Sequence, residues 1–330
     1  MAKELVAAVI ALLVLGFIVG TSFAVANRNE PAAVEIPVGA STTQISLLLE
    51  DAGVINNAWL FRLYTKIAGV QGSLQAGHYE FAPNLSMQEV VRILVKGNPR
   101  TVTVTLREGL TLAEIADRLA SAGLVNKSEF LRLAYDPQYT LGAEMPDWLV
   151  GARSLEGFLF PDTYRFAPGQ SAREIILMMF RQFRAKAEPL IAESEVVAKY
   201  GVRQWVTLAS IVEMEGKLEA EFPVIASVFL NRLERRMYLQ SCATVQYALG
   251  ERKPVLTEKD LQVQSPYNTY LHEGLPPGPI ASPGLAALKA AANPQKTNYL
   301  YFVAKGDGSH AFSTTYSQHL AAKHKYESGK

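Results

Sequence analysis

Trp205-Val206-Thr207-Leu208-Ala209-Ser210-Ile211-Val212-Glu213-Met214-Glu215-Gly216 is the stretch on which the fold turns. None of the eight residues before Glu213 carries a charge or a side-chain amide, and most are apolar. A helix apolar on every side belongs in a core, so the pattern predicts a helix over 203–215 with the chain packed around it. Acids arrive only in its last turn, just before Gly216. A carboxyl there meets the negative end of the helix dipole, and apolar neighbours withdraw water from it. Both effects raise a carboxyl pKa, which makes Glu213 a candidate general acid. A helix-end Glu that faces solvent, or pairs with Arg232 or Arg235, fits the same residues, and they leave both readings open. Glu215, two positions on, points away from Glu213, so the two cannot form a close carboxylate pair on one face.

Further helices are expected over 172–193, 223–237 and 283–292. Glu221 precedes Phe222-Pro223, where a proline in the first turn and a nearby acid favour a helix start; support of Glu213 is the sharper reading. Residues 240–283 read as a long polar, proline-rich loop, and loops of that length are commonly functional. In it, Tyr267-Asn268-Thr269-Tyr270 offers aromatic faces for the apolar side of a sugar ring and amides for its hydroxyls, or forms an ordinary structured turn. Upstream, the run 154–164 packs aromatics with two acids, Glu156 and Asp162, and reads first as a core-forming turn. Residues 299–304 and 311–313 are expected to pair across Gly306-Asp307-Gly308.

The N-terminal part is a series of short elements. No charge falls between Glu4 and Arg28, and about 20 apolar residues span a bilayer as a helix. The expectation is a transmembrane anchor over 5–26, with 1–4 on the cytoplasmic side; a signal peptide cleaved after Ala24-Val25-Ala26 is the rival. Beyond a polar linker, a strand at 34–38, a helix capped by Ser41, a helix over 57–68, a strand at 77–81 and a helix capped by Ser86 make a small module over 34–98. A second small α/β segment is expected over 99–150: strand 101–106, a Glu108-Gly109 turn, the capping box Thr111/Glu114, and helices to 122 and over 127–134. A boundary is placed in 136–154, and 151–330 forms the largest domain. The fold class is α+β.

Composition removes several classes. The 330 residues carry 32 Lys plus Arg against 31 Asp plus Glu, so no general field draws in nucleic acid, and no basic stripe is present. One cysteine, Cys242, excludes an intramolecular disulfide and a four-cysteine zinc site. The five histidines show no metal-ligand spacing with it, and no phosphate loop, nucleophile elbow or HExxH motif occurs. Neither metal nor cofactor is expected.

The runs 208–216 (LASIVEMEG), Glu221 and 224–233 (VIASVFLNRL) closely resemble the endolytic murein transglycosylase (YceG-like) family. So do LEGFLFPDTY at 155–164, MYLQS at 237–241, TVQYALG at 244–250, PYNTY at 266–270, GLPPGPIASPG at 274–284, ALKAAANP at 287–294, NYLYFVA at 298–304 and HAFS at 310–313. The blocks keep the family's order over about 154–326. The resemblance implies a single-pass inner-membrane protein with a LysM-like module beside the anchor and a periplasmic catalytic domain over 151–330. It also implies a lyase that cuts peptidoglycan glycan strands between MurNAc and GlcNAc and leaves 1,6-anhydro ends. The family's glutamate falls on Glu213, with Glu221, Asn231, Gln240, Tyr267, Asn268, His310 and Glu156 binding substrate or supporting the cleft. Peptidoglycan synthases, the penicillin-binding proteins, are the implied partners, with nascent strands as the material cut. One departure stands out: Cys242-Ala243 replaces the family's usual Asp-Pro. A membrane-tethered glycan-binding scaffold without catalysis is the alternative this raises. A hydrolase using Glu156 or Asp162 as a second acid is another.

Overall fold

The computed structural model describes residues 30–97, 101–167 and 169–327. The expected anchor over 5–26 lies outside the described residues; among those described, no helix is long and apolar enough to cross a membrane. The fold is mixed α+β, with thirteen α-helices and three two-stranded sheets among the described residues. The chain divides into two compact units, one ending at Thr103 and also holding 165–170, the other formed by 104–164 and 171–330.

In the smaller unit, β1 (Ala32–Ile36) leads to α1 (Thr42–Asp51) and α2 (Ala58–Ile67), then to β2 (Gly77–Phe81) and α3 (Met87–Lys96). The starts follow from local chemistry. Ser41 with Gln44, and Ser86 with Glu89, form reciprocal capping boxes, while the Asn57 side chain accepts from the Leu60 N–H. Strands β1 and β2 pair antiparallel, Ala32 opposite Phe81 and Ile36 opposite Gly77. Alternation in both strands turns Val34, Ile36, Tyr79 and Phe81 inward onto Ile45, Leu49, Phe61, Val90 and Leu94.

Strand β3 (Val102–Thr105) pairs with β4 (Thr163–Phe166), and the division of the chain falls in this ribbon. Within the larger unit the ribbon is closed by Thr105 Oγ1 to Thr163 Oγ1 at 2.9 Å and by Leu106 N–H donating to Asp162 O. Next come α4 (Leu112–Ser121), α5 (Lys127–Ala134) and α6 (Pro137–Leu141), then α7 (Ala172–Glu193), α8 (Glu195–Tyr200) and α9 (Val202–Glu215). The segment 104–150, read from the sequence as belonging to a piece of its own, is here part of the larger unit. Leu155 N–H donates to Ala134 O, and Gly109 and Ser282 exchange backbone bonds through Ser282 O and Leu110 O.

Helix α9 is the axis of the larger unit: every residue from Trp205 to Val212 is buried. After α10 (Phe222–Glu234), α11 (Cys242–Leu249) and α12 (Leu285–Ala292), the hairpin β5 (Tyr301–Ala304) with β6 (His310–Ser313) and helix α13 (Tyr316–Glu327) complete the chain. The small side chains of α12 let it lie close on α9, where Trp205 Nε1–H donates to Leu288 O at 3.1 Å. Ser210 Oγ accepts the Ile280 N–H at 3.0 Å and Thr207 Oγ1–H donates to Arg203 O at 2.8 Å, so the three polar side chains of the buried run are satisfied.

Helix α11 lies within the stretch expected to be one long loop. Ser241 makes no side-chain cap to it, and two turns of CATVQYAL give too short a periodic pattern to stand out. The 155–160 turn depends on Gly157, at φ +80°, because a Cβ there would meet Pro279 Cβ at 2.4 Å. Gly157→Ala is expected to destabilise the larger unit by about 3 kcal/mol, from left-handed strain plus overpacking. Chemical denaturation followed by tryptophan fluorescence measures it, and an unchanged transition would contradict the packing described.

Candidate active site

The buried run of α9 ends at Val212, and the next three residues leave the core in different directions. At about 100° per residue, Glu213 and Glu215 point to nearly opposite sides with Met214 between them. Gly216 follows the last helical residue, and only glycine fits there because the Phe222 ring occupies the space a side chain would need: a Cβ would meet Phe222 Cε1 at 2.5 Å. Helix α10 therefore starts directly against the end of α9.

Glu213 faces the start of α12. Its Oε2 accepts the Gly284 N–H at 2.9 Å, and the Glu108-Gly109 turn packs beside it: a Cβ on Gly284 would meet Glu108 Cγ at 2.6 Å, and one on Gly109 would come within 3.9 Å of Glu213 Cγ. Burial pushes its carboxyl up to about 7; the Gly284 N–H opposes this, and the charges of Glu108 and Glu219 add to it.

Glu215 faces a cavity of about 610 Å³, lined among others by Lys217, Arg232, Gln240, Cys242, Tyr270 and His310. Its Oε1 accepts from Ser241 Oγ–H at 2.5 Å and from the Ala243 N–H at 3.5 Å, in the first turn of α11. Burial pushes this carboxyl above the ordinary range. The Ser241 and Ala243 donors pull the other way, followed by the nearby charges of His310 and Arg232. A half-buried carboxyl that can hold a proton, fixed by two donors and open to a polar cavity, is suited to general acid–base work.

Of the residues singled out from the sequence, Gln240 and His310 line the Glu215 cavity, and Glu221 reaches it through His310. His310, at the start of β6, donates its N–H to Glu221 Oε1 at 3.1 Å and places Nδ1 2.7 Å from Oε2. Glu221 thus ties the hairpin to the start of α10. Gln240 adopts φ +49° and donates its N–H to Thr269 O, which leaves its side chain exposed at the cavity. Asn231 lies elsewhere: its Nδ2 donates to Thr297 O and Tyr299 O, both at 2.9 Å, and it lines a different cavity. Asn268, read as offering an amide to a sugar, is fully buried. Its Nδ2 donates to Leu261 O and Val263 O, and its Oδ1 accepts the Tyr270 N–H. It orders the loop that presents Tyr270, whose hydroxyl lies 3.2 Å from Cys242 Sγ.

Glu156 and Tyr267 sit on the Met214 side. Glu156 is 2% exposed, and its two oxygens accept the Leu112 N–H at 3.0 and 3.2 Å. Tyr247 Oη–H donates to it at 3.3 Å, and the Tyr267 ring packs on Tyr247 with centroids 4.8 Å apart. Burial pushes the Glu156 carboxyl up to about 8. It lines a second cavity, about 560 Å³, together with Met214 and Ala243. Asp162 is engaged at the ribbon, receiving the Gln182 amide at 2.7 Å and the Thr163 N–H at 2.8 Å.

A model of the YceG-like family matches residues 34–325. The chain is similar to the endolytic murein transglycosylase of Bacillus subtilis (strain 168), 36% identical over 308 residues that cover 90% of this chain and 85% of the relative. It is 33% identical to the endolytic murein transglycosylase of Streptococcus pneumoniae serotype 2 (strain D39), over 84% of this chain and 55% of that longer relative. In structure it is similar to the yceG-like protein of Listeria monocytogenes, with a TM-score of 0.60 and 38% identity, covering 89% of this chain and 99% of that one.

Asn268→Ala leaves the partly buried carbonyls of Leu261 and Val263 without this donor and frees the Tyr270 loop. The expected loss is about 3 kcal/mol of stability, read as a lower midpoint in denaturant. Asn268→Asp should recover little, since a carboxylate cannot donate to Leu261 and Val263.

Proposed function

Because the chain belongs to the YceG-like family, we propose that it is a lytic transglycosylase of peptidoglycan and that Glu215 is its acid and base. The observation that carries this is the cavity around Glu215. That cavity gathers Gln240, Tyr270 and His310 about the Glu215 carboxyl group, whereas Glu213 is turned to the start of α12. An acid at Glu213, the assignment drawn from the sequence motif, remains the second reading, favoured by its carboxyl being pushed up to about 7.

In the proposed reaction, protonated Glu215 gives its proton to the glycosidic oxygen between MurNAc and GlcNAc as the C1–O bond breaks. Its carboxylate then takes the proton of the same MurNAc's C6 hydroxyl, whose oxygen closes on C1. The product is a 1,6-anhydro end, Glu215 is protonated again, and no water is consumed. Hydrolytic glycosidases use a second carboxylate as base or nucleophile, and among the described residues Glu215 is the one carboxyl group lining this cavity. Glu156 spends its oxygens on Leu112 and Tyr247 beside the neighbouring cavity. Ser241 and Ala243 orient the Glu215 carboxylate and stabilise it when it acts as base. Cys242 leaves these contacts in place, which favours an active enzyme over a binding scaffold.

The rest of the reading follows the family's layout. Residues 5–26 anchor the chain in the inner membrane, the smaller unit is a LysM-like glycan-binding module, and the larger unit works in the periplasm. Strands fresh from the penicillin-binding synthases are its substrate, and cutting them sets their length.

Incubation of the purified full-length chain with glycan strands, followed by mass spectrometry, tests the chemistry. Anhydro-terminated fragments are expected, and Glu215→Gln should reduce their formation on the order of 10³-fold while Glu213→Gln retains most of it. The opposite pattern would return the acid to Glu213, and reducing ends would make the enzyme a hydrolase.

The pH dependence has a defined sign. The acid must be protonated at the start, so activity falls as pH rises through its pKa. Ser241→Ala removes a donor that favours the charged form of Glu215, so that pKa rises. The alkaline limb of kcat/KM against pH should therefore move to higher pH, with reduced activity below it from lost orientation.

A further inference from the structure

Helix α2 of the smaller unit is apolar on both sides. Its inward face, Ala58, Phe61 and Thr65, is buried in the core of that unit. At about 100° per residue, Trp59, Leu63 and Ile67 fall one turn apart on the opposite face. Trp59 is 59% exposed and Ile67 66%, with Leu63 half-buried between them. A surface helix ordinarily turns polar residues outward, so this ridge calls for an apolar neighbour. Arg62 and Lys66 run along one flank of it, and neither makes an ion pair with a carboxylate among the described residues. Glu50, at the end of α1, is engaged inward, its Oε1 accepting the N–H of the buried Ala58 at 2.9 Å.

The length of the chain before β1 narrows the choice of neighbour. Only residues 27–31 join the anchor expected over 5–26 to β1 at Ala32. Fully extended, that connection reaches about 18 Å, against a width of roughly 25 Å for a folded unit of this size. The smaller unit is therefore kept at the bilayer surface, with one of its faces brought against the headgroups. A row of Trp, Leu and Ile flanked by Arg and Lys suits that boundary. The indole sits at headgroup level, the aliphatic side chains reach the acyl boundary, and the cations meet lipid phosphates. Helix α2 is ten residues long, too short to span the hydrocarbon, so it lies along the surface. A glycan strand could stack on Trp59, but Leu63 and Ile67 offer nothing to its hydroxyls.

We propose that the Trp59–Leu63–Ile67 ridge of α2 docks on an anionic phospholipid surface, that of the membrane holding the chain's own anchor. The inference rests on the anchored reading above and adds a second point of attachment to it. The smaller unit then lies on the bilayer instead of swinging on its linker. Because the anchor keeps the ridge close to the surface, three apolar side chains and two cations suffice to hold it there.

The full-length chain with lipid vesicles in excess tests this, with Trp59 as the reporter. The vesicles are phosphatidylcholine alone, or equal parts phosphatidylcholine and phosphatidylglycerol, with or without bromine on the acyl chains near the headgroup. The chain has three tryptophans, so subtracting the emission of Trp59→Phe from that of the wild-type chain isolates Trp59. Its emission should fall about twofold with brominated lipid in the phosphatidylglycerol vesicles, since an interfacial helix sits roughly 5–10 Å into the headgroup boundary. The fall should be smaller in phosphatidylcholine alone and should shrink as salt rises. In Arg62→Gln/Lys66→Gln the two lipids should give the same small fall.

Flotation with phosphatidylcholine vesicles at high salt reads the anchor separately. Trp59 emission unmoved by bromine in a chain that floats overturns the docking and leaves the anchor in place. A fall that is equal in the two lipids and unchanged in the double variant also overturns it. Emission that responds to added glycan strands and not to bromine overturns it too, and gives the ridge to the substrate. A chain that does not float, yet shows the fall with phosphatidylglycerol vesicles, keeps the docking surface and discards the anchor. One that shows neither discards both.

Discussion

A helix buried on every side needs partners on every side, and α9 imposes that demand on the larger unit. Between Trp205 and Val212 it offers its surroundings only apolar surface and three hydroxyl or indole groups. The polar groups are used as pins: Trp205 reaches the carbonyl of Leu288, and Ser210 receives the N–H of Ile280. The helix can neither slide nor turn without breaking these bonds and opening the core. Its last turn is fixed as a consequence, and the carboxyl groups that emerge there are held by the body of the protein instead of by a loop. Precise placement of a reacting group requires that kind of support.

One helix end sends two acids into different surroundings. Glu213 accepts a backbone N–H at the start of α12, which makes it a bond between two core helices. Glu215 is held by Ser241 and Ala243 and keeps open space in front of it. Burial raises both, so protonation alone does not tell them apart; geometry does. Glu156 is a third raised carboxyl, and its two bonds to the Leu112 N–H and one from Tyr247 bind α4 to α11. A shifted pKa marks a buried acid, and what that acid faces decides its use.

What could be read from the residues follows the range of the forces involved. The caps read at Ser41, Ser86 and Thr111 act within three residues, and each helix starts where its cap predicts. The strand at 77–81 and the hairpin at β5 and β6 were also visible, because a short strand pattern and a Gly-Asp-Gly turn are local. Helix α11 was hidden by its shortness. The sequence also showed that Glu213 and Glu215 diverge, since that follows from the helical period. Which of them meets Tyr270, Gln240 and His310 depends on residues 25 to 100 positions away, and no local pattern contains that. Asn268 shows the same limit: its amide was visible, but the carbonyls that consume it were not.

Cys242 is the chain's one thiol, and it is exposed at the mouth of the Glu215 cavity with its sulfur against the Tyr270 hydroxyl. Most proteins must be stripped of native cysteines before a reporter can be attached at one chosen point. Here the natural chain already offers a single attachment position, beside the cleft and away from the core. A small fluorophore or nitroxide coupled there would sense its surroundings change as a strand enters. Occupancy could then be followed in time, on the unaltered polypeptide, separately from bond cleavage.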